Sequence, residues 1–521
     1  MLLNMKTYHT FIKLMLLYML AMSGLAVRAA DQEKPNIILI YADDIGYGDL
    51  SCYGATTVQT PHVDRLAAGG VRFTNAYATS ATCTPSRYSL MTGEYAFRQK
   101  GTGILPGDAP LIIQPGRETL PSMLQRAGYK TGIVGKWHLG LGDRKGGQNW
   151  NNEIKPGPLE VGFDDSFIMA ATGDRVPCVY VKDHRVVGLS TDDPIQISYG
   201  APFPGEPTGE DARDTLVVDW SAGHHDAVVH GISRIGFMKG GKSALWKDDE
   251  MAKVFTQRAI DFIEREKEHP FFLYFATHDI HVPRVPHADF VGKTPMGPRG
   301  DAIVEFDWSV GQIIATLERL KLLGNTLIIV TSDNGPVLDD GYKDAAVEKL
   351  GSHRPAGPWR SGKTSLFEGG TRLPTITYWQ GNIQPRVSDA LISQVDFLAS
   401  LAALTGQKFN TKNAPDSENQ LPALLGKSPT GRTSLVQYAN GLALRQGDWK
   451  FIPPGPTTDG LEKRKKITIP EPGLLFNLAL DPGETIDLAA SNREKIKELQ
   501  SLLTSIQGGA VSPASNPAAA Q

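Results

Sequence analysis

Four short apolar runs of this chain end in side chains that bind metals, hold anions or move protons. Asn36-Ile37-Ile38-Leu39-Ile40-Tyr41-Ala42 runs into Asp43-Asp44, and Thr131-Gly132-Ile133-Val134-Gly135 runs into Lys136-Trp137-His138. Phe271-Phe272-Leu273-Tyr274-Phe275-Ala276 is followed by Thr277-His278-Asp279-Ile280-His281, and Thr326-Leu327-Ile328-Ile329-Val330-Thr331 by Ser332-Asp333-Asn334-Gly335. Asp43, Asp44, Asp333 and Asn334 offer only hard oxygen donors, the ligand chemistry of Ca²⁺ or Mg²⁺ rather than of zinc. Adjacent aspartates at a strand end repel each other unless a cation or basic side chains neutralise them. Singly these segments are weak, because Asp-Asp and Asp-Asn-Gly are ordinary turn sequences. A separate segment, Cys83-Thr84-Pro85-Ser86-Arg87 followed by Leu90 and Thr92-Gly93, combines a thiol and a guanidinium. A lone cysteine is most often a small buried hydrophobe. Here Pro, Arg and Thr-Gly stand at fixed offsets from it, which chance rarely produces.

The elements that must position these residues are legible in outline. Nearly continuous apolar runs of this length are the pattern of strands buried on both faces of a mostly parallel sheet. Between them, Thr60 with Pro61 at the first position opens a helix that runs to Gly69-Gly70. A second helix covers 120–127 and ends at Gly128. The spacing of Ile303, Val304, Trp308, Ile313, Leu317 and Leu320 predicts a third over 301–323, stopped by Gly324. Alternating strands and helices give an α/β layered domain. In open α/β sheets ligands bind beyond the carboxyl ends of the strands, where all four runs deliver their polar residues.

Two segments carry a family resemblance. Cys83 to Gly93 resembles the signature of type I sulfatases, and Gly128-Tyr129-Lys130-Thr131-Gly132-Ile133-Val134-Gly135-Lys136-Trp137-His138 resembles a second, longer signature of that family. His281-Val282-Pro283 and Gly362-Lys363, with Glu368-Gly369-Gly370 and Arg372-Leu373-Pro374 downstream, match shorter family segments, and the similarity spans roughly 35–488. The resemblance implies an alkaline-phosphatase-like α/β fold: a large, mostly parallel central sheet between helices, plus a small C-terminal antiparallel α+β subdomain. It implies that a maturation enzyme oxidises Cys83 to formylglycine (3-oxoalanine) before folding. One hydroxyl of the hydrated aldehyde would then attack sulfur. Asp43, Asp44, residue 83, Asp333 and Asn334 would hold one divalent ion, usually Ca²⁺. Arg87 would hold the diol and the local carboxylates, while Lys136 and Lys363 clamp the sulfate oxygens. His281 or Lys363 would protonate the leaving alcohol. His138 would remove a proton to eliminate sulfate and restore the aldehyde, a role suited to a group with an unperturbed pKa of ~6.5. His278 either lines the pocket or is a hydrogen-bonded structural residue.

The chain has 521 residues, 41% of them hydrophobic, enough for a large core. Its formal charge of −3 gives no case for nucleic-acid binding. Three cysteines, Cys52, Cys83 and Cys178, exclude a disulfide framework and leave open whether Cys52 and Cys178 pair. Lys6 and Lys13, then an apolar run from Leu14 to Met22 and Val27-Arg28-Ala29, read as a secretory signal peptide over 1–29. The absence of any N-x-S/T sequon fits a bacterial protein exported to the periplasm or secreted, with no membrane association after cleavage. The expected organisation is a catalytic domain over 31–430, a C-terminal subdomain over 431–507 and a disordered Ala/Pro/Ser tail over 508–521. Residues 98–111 and 141–250 read as loops around the pocket mouth, and 413–429 as a linker. Trp150, Arg175, Tyr180, Arg185 and Trp246 are candidates for holding sugar rings and their anions.

The resemblance leans toward N-acetylgalactosamine-6-sulfatases and arylsulfatases, so the expected substrate is a sulfated galactose or galactosamine unit, or an aryl sulfate. Two alternatives stand beside it. One is a phosphatase or phosphonate esterase of the same superfamily, which often needs a second metal set that the sequence lacks. The other is a non-catalytic binder of sulfated glycans, should Cys83 stay a thiol.

Overall fold

The apolar runs become the middle of a ten-stranded sheet in a computed structural model that describes residues 34–508 apart from 463. The strand Asn36–Ala42 lies between Thr326–Ser332 and Phe271–Ala276 and is parallel to both. Lys130–Lys136 and Asp165–Met169 continue the parallel row on the Phe271–Ala276 side. Antiparallel strands extend it at both ends: Thr375–Tyr378 and Val71–Phe73 on one, Tyr180–Lys182 and Arg185–Val186 on the other. Every residue of the strands Asn36–Ala42, Phe271–Ala276 and Thr326–Ser332 is buried, as expected for strands covered on both faces. The proposed signal peptide and nearly all of the tail fall outside the described residues.

Helices Pro61–Gly69, Met251–Glu266 and Pro298–Arg319 pack together, and Leu120–Arg126 packs against Phe397–Leu404. The first keeps its predicted bounds, with Pro61 at the first helical position. The long one starts at Pro298 rather than 301, because Gly297 at φ 63° leads into a proline that is pre-set for a helix. It stops at Arg319 because Lys321 takes a left-handed φ of 60° before Gly324 is reached. From Ser434 a four-stranded antiparallel sheet, in the order Ser434–Tyr438, Leu442–Gln446, Trp449–Ile452 and Leu474–Asn477, is covered by the helix Arg493–Gln507. A hairpin of Gly455–Asp459 and Lys465–Ile469 projects from it. The stretch 413–429 is packed rather than linker-like: Leu424 is buried, and Asp416 accepts from the Tyr95 amide at 2.8 Å and from Arg98.

One glycine shows how tightly the sheet sets the site. Gly135, directly before Lys136, has φ 111°, and a Cβ there would overlap the Ala276 carbonyl oxygen on the neighbouring strand. No L side chain fits both the dihedral and the space. Gly135→Ala should therefore destabilise the fold by about 1–3 kcal/mol, read from urea denaturation. Leu39→Ala, at a fully buried central position, should cost about 2–5 kcal/mol by the same measurement.

Candidate active site

The register of the two central strands brings the carboxylates together. Ala42 pairs with Ser332, so the residues that follow, Asp43-Asp44 and Asp333-Asn334, leave the sheet at the same level. The Asp44 amide donates to Asp333 Oδ1 at 3.3 Å. Asp43, Asp44 and Asp333 each offer an oxygen within 4.8 Å of the others, and all are fully buried. Asn334 donates through Nδ2 to Asp44 Oδ1 at 2.7 Å and to the Gly335 carbonyl at 3.0 Å, which leaves its buried Oδ1 without a partner. A buried acceptor with nothing to accept from is costly. Three carboxylates and an orphaned amide oxygen together fit a hard divalent cation.

Three cations are arrayed against these acids. Arg87 donates to Asp333 Oδ2 through Nε at 3.1 Å and Nη2 at 2.8 Å, and its Nη1 reaches the Lys136 carbonyl and Tyr274 Oη. Lys136 Nζ lies 2.6 Å from Asp43 Oδ2 and 3.7 Å from Asp333 Oδ2. Lys363 Nζ bonds Asp44 Oδ2 at 2.8 Å and Asp340 Oδ2 at 3.0 Å. Burial, then the Asp333 charge, pushes the Asp43 carboxyl well up despite Lys136. Burial acts the same way on Asp333, but Arg87 and Lys136 outweigh it and hold that carboxyl below its usual range. Lys363 stays charged because Asp340 and Asp44 overcome the cost of its burial.

Cys83 begins the helix Cys83–Thr92, with Thr82 in the capping position. Its Sγ is 4.0 Å from Asp43 Oδ1, in the first turn of that helix, and burial pushes the thiol up to about 12 despite Lys136 and Lys363. The histidines divide by tautomer. His138 Nε2 donates to the Leu105 carbonyl at 2.9 Å, so its bare Nδ1, buried and unpartnered, carries the lone pair. Burial, then Lys136, holds His138 well below the ordinary histidine range. His281 is reversed: Nδ1 donates to the Val282 carbonyl at 2.8 Å and Nε2 faces Asp44 Oδ2 at 4.0 Å. His278 presents an unpartnered Nε2 beside Gly173, and burial, then Lys136, pushes it down to about 4. All eleven residues singled out by sequence thus line one buried cluster or border it.

Comparison with known proteins decides what this cluster belongs to. The sequence model of the sulfatase family, described as Sulfatase, matches residues 35–407. The chain is a sulfatase. It is 50% identical to N-acetylgalactosamine-6-O-sulfatase of Bacteroides thetaiotaomicron, over 92% of this chain and 94% of that protein. Human arylsulfatase A is 32% identical over 92% of this chain and 89% of its own. A solved B. thetaiotaomicron structure, described under the metabolism of multiple glycosaminoglycans, superposes with a TM-score of 0.88 at 49% identity, covering 92% of this chain and all of that one. The phosphonate monoester hydrolase of Agrobacterium radiobacter, at TM-score 0.56 and 18% identity over 92% and 96% of the chains, shares the alkaline-phosphatase-like fold. As a family member this sulfatase is a sulfuric ester hydrolase whose relatives bind metal and depend on formylglycine. No described helix is long and apolar enough to cross a membrane.

Other residues of the sulfatase's site carry no signal in the sequence. Asp340 sits on a plain Asp-Asp-Gly turn, yet it anchors Lys363 and joins Asp44 and His281 in a second acidic group. Asp49, seven residues from the last strand position, accepts from Arg299 at 2.7 Å on both oxygens and from His353 at 2.8 Å. Its Oδ2 also accepts from the Gly46 amide, pinning the loop beyond Asp44. The rim behaves differently from expectation. The strand Asp165–Met169, inside the stretch read as loops, belongs to the central sheet. Tyr180 packs against Phe255 and Trp246, and Trp246 and Trp150 are buried, so these rings are core rather than sugar platforms. Arg185 pairs with Glu153, and Arg175 with Asp174. The loop over 98–111 does border the site, through the Leu105 carbonyl on His138. Cys52 and Cys178 are free thiols.

Burial opposes the Asp49 charge, but Arg299 and His353 more than offset it and bring the carboxyl down to about 2. Its folded value lies below the unfolded ~3.9, so its stabilisation of about 3 kcal/mol is complete above pH ~5 and is lost as pH falls through about 2. Asp49→Asn should remove that pH-dependent component from acid-unfolding curves. Asp333→Ala should weaken divalent-ion binding by roughly tenfold or more in calorimetric titration.

Proposed function

We propose that this sulfatase is exported by a bacterium and removes sulfate from galactose or N-acetylgalactosamine units of sulfated carbohydrates. In this reading residue 83 is formylglycine and Ca²⁺ is held by Asp43, Asp44, residue 83, Asp333 and Asn334. The observation that carries the reading is the gathering of Arg87, Lys136 and Lys363 around residue 83 and an orphaned Asn334 Oδ1. The substrate class rests on the 50% identical relative named for N-acetylgalactosamine 6-O-sulfate.

Asp43, Asp44, Asp333 and Asn334 would hold the divalent ion, which would supply the positive charge that balances the carboxylates and favours an ionised hydroxyl on the hydrated residue 83. Lys136 and Lys363 neutralise sulfate oxygens as the S–O bond breaks, and losing such a donor typically costs on the order of 10²–10³ in rate. Arg87 fixes Asp333 and the start of the helix that carries residue 83. Lys363, an ammonium in a dry site, is the better placed of the two candidates to protonate the leaving alcohol. His281 carries its proton on Nδ1, already committed to the Val282 carbonyl. His138 offers Nδ1 as the base that takes the proton whose loss frees sulfate.

Mass spectrometry of the tryptic peptide 73–87, from a host with a maturation enzyme, should show a hydrazide-reactive aldehyde at residue 83. Fully active protein bearing only the thiol would overturn the mechanism. Cys83→Ala should abolish turnover with an unchanged circular dichroism spectrum, and chelation should remove activity that Ca²⁺ restores. Across aryl sulfates and sulfated monosaccharides, kcat/KM should be highest for galactose- or galactosamine-type sugar sulfates. A preference of orders of magnitude for p-nitrophenyl sulfate would refute the carbohydrate assignment and leave the sulfatase standing.

A further inference from the structure

The hairpin Gly455–Asp459 and Lys465–Ile469 belongs to the C-terminal part of the chain, yet it is fastened along the loop that delivers Lys363. Thr364 Oγ1 meets Thr458 Oγ1 at 3.0 Å, Ser365 Oγ donates to the Thr458 carbonyl at 2.7 Å, and the Leu366 amide donates to Thr457 Oγ1 at 3.1 Å. Arg360 donates to Asp459 at 3.2 Å from the same loop. The end of the strand Gly455–Asp459 is therefore held against the loop that carries Lys363.

Arg464 precedes the second strand of the hairpin, which opens with Lys465 and Lys466. Arg464 Nη2 donates to Asp340 Oδ1 at 2.8 Å, and the other Asp340 oxygen holds Lys363 Nζ at 3.0 Å. A relay of alternating charge thus runs from Asp44 through Lys363 and Asp340 to Arg464 at the surface. Among the described residues only Nη2 of the Arg464 guanidinium is engaged, and its side chain is 30% exposed. Lys466 is two residues on, in the strand that the turn leads into. It is exposed, and its cross-strand partner is Thr458, whose hydroxyl touches the Lys363 loop. Neither Lys465 nor Lys466 has an ion-pair partner among the described residues. One buried cation for the scissile sulfate, with the half-buried Arg464 and the exposed Lys466 near it, describes a surface that recognises more than one negative charge on the same ligand.

We propose that Arg464 and Lys466 form a second anion subsite at the pocket mouth. It engages a carboxylate or sulfate on a neighbouring unit of the glycan whose ester is cleaved, so the enzyme's preferred substrate is a polyanionic oligosaccharide. This rests on the carbohydrate reading above.

The test uses calcium-loaded full-length Cys83→Ala protein, which binds without turnover, with and without Lys466→Glu. The probes are a chondroitin sulfate hexasaccharide, the same hexasaccharide chemically desulfated, and N-acetylgalactosamine 6-sulfate. Lys466→Glu should weaken the sulfated hexasaccharide by about three- to tenfold, an effect that shrinks at high salt, and leave the monosaccharide unchanged. Equal loss on the desulfated hexasaccharide assigns the subsite to carboxylates, and loss on the sulfated form alone assigns it to sulfate. No loss on either hexasaccharide, or an equal loss on the monosaccharide, overturns the proposal. In the catalytically competent protein, Lys466→Glu should leave the kcat/KM of p-nitrophenyl sulfate at its wild-type value. Failure of the parent enzyme on every sugar sulfate would instead sink the carbohydrate reading, independently of the binding result.

Discussion

Three carboxylates packed together out of contact with water set the terms for the rest of this protein. At 4 Å and an effective dielectric of about 20, each like-charge pair costs about 4 kcal/mol. Asp43, Asp44 and Asp333 sit in such a cluster because Arg87, Lys136 and Lys363 are driven into the same dry volume. A buried ion pair is costly to desolvate and tolerable only when its geometry is fixed. The parallel sheet provides that rigidity. Asp43-Asp44 and Asp333-Asn334 leave two adjacent strands in register, Lys136 closes a third strand with His138 just beyond it, and His278 and His281 follow a fourth. Arg87 comes from a helix that lays its guanidinium over Tyr41 while bonding Tyr274, so both partners stand on the strands themselves.

The C-terminal sheet is part of the same electrostatic construction. Lys450, on the strand Trp449–Ile452, is fully buried and holds Glu368 at 2.9 Å and Glu484 at 3.0 Å. The Glu368 amide in turn donates to Glu484 Oε2 at 2.7 Å. Glu368 lies on the loop that carries Lys363, and the Gly370 carbonyl of that loop accepts from Gly335, next to Asn334. Burial, offset in part by Lys450, pushes the Glu484 carboxyl up to about 7. The loop that carries Lys363 therefore hangs from an ion cluster whose central cation, Lys450, lies 87 positions beyond that lysine in the chain.

Most members of the buried polar cluster stand out in the sequence because they coincide with strong local patterns. Uninterrupted apolar runs mark doubly covered strands, and the acids, lysines and histidines stand where those runs stop. The motif around Cys83 needs no tertiary information at all. What stayed hidden depends on partners far away in the chain. Asp340 and Asp49 look like turn acids until Lys363 and Arg464, or Arg299 and His353, are seen beside them. The strand Asp165–Met169 opens on Asp-Ser and so lacks a fully apolar signature. The helix Met251–Glu266 buries Phe255, Ala259 and Phe262 behind a charged face and was passed over next to a loop-rich stretch. Trp246 and Tyr180 looked available for sugars because only packing shows that a ring is already enclosed.

Arg87 and Asp333 are 246 residues apart, and that separation has a temporal meaning. At ~5–20 residues per second, the intervening chain takes roughly 12–50 s to synthesise. Until Asp333 is made, Arg87 lacks its bidentate partner, the central strand lacks its neighbour, and nothing can seal residue 83 inside. Contacts of such long range also fold slowly, because loop closure must precede any gain from them. In the finished protein residue 83 is 2% exposed. Chain length would thus act as a clock for the proposed conversion of residue 83: that chemistry would have to finish before the late-arriving strand closes over the residue, and a polypeptide that missed the interval would need to unfold again.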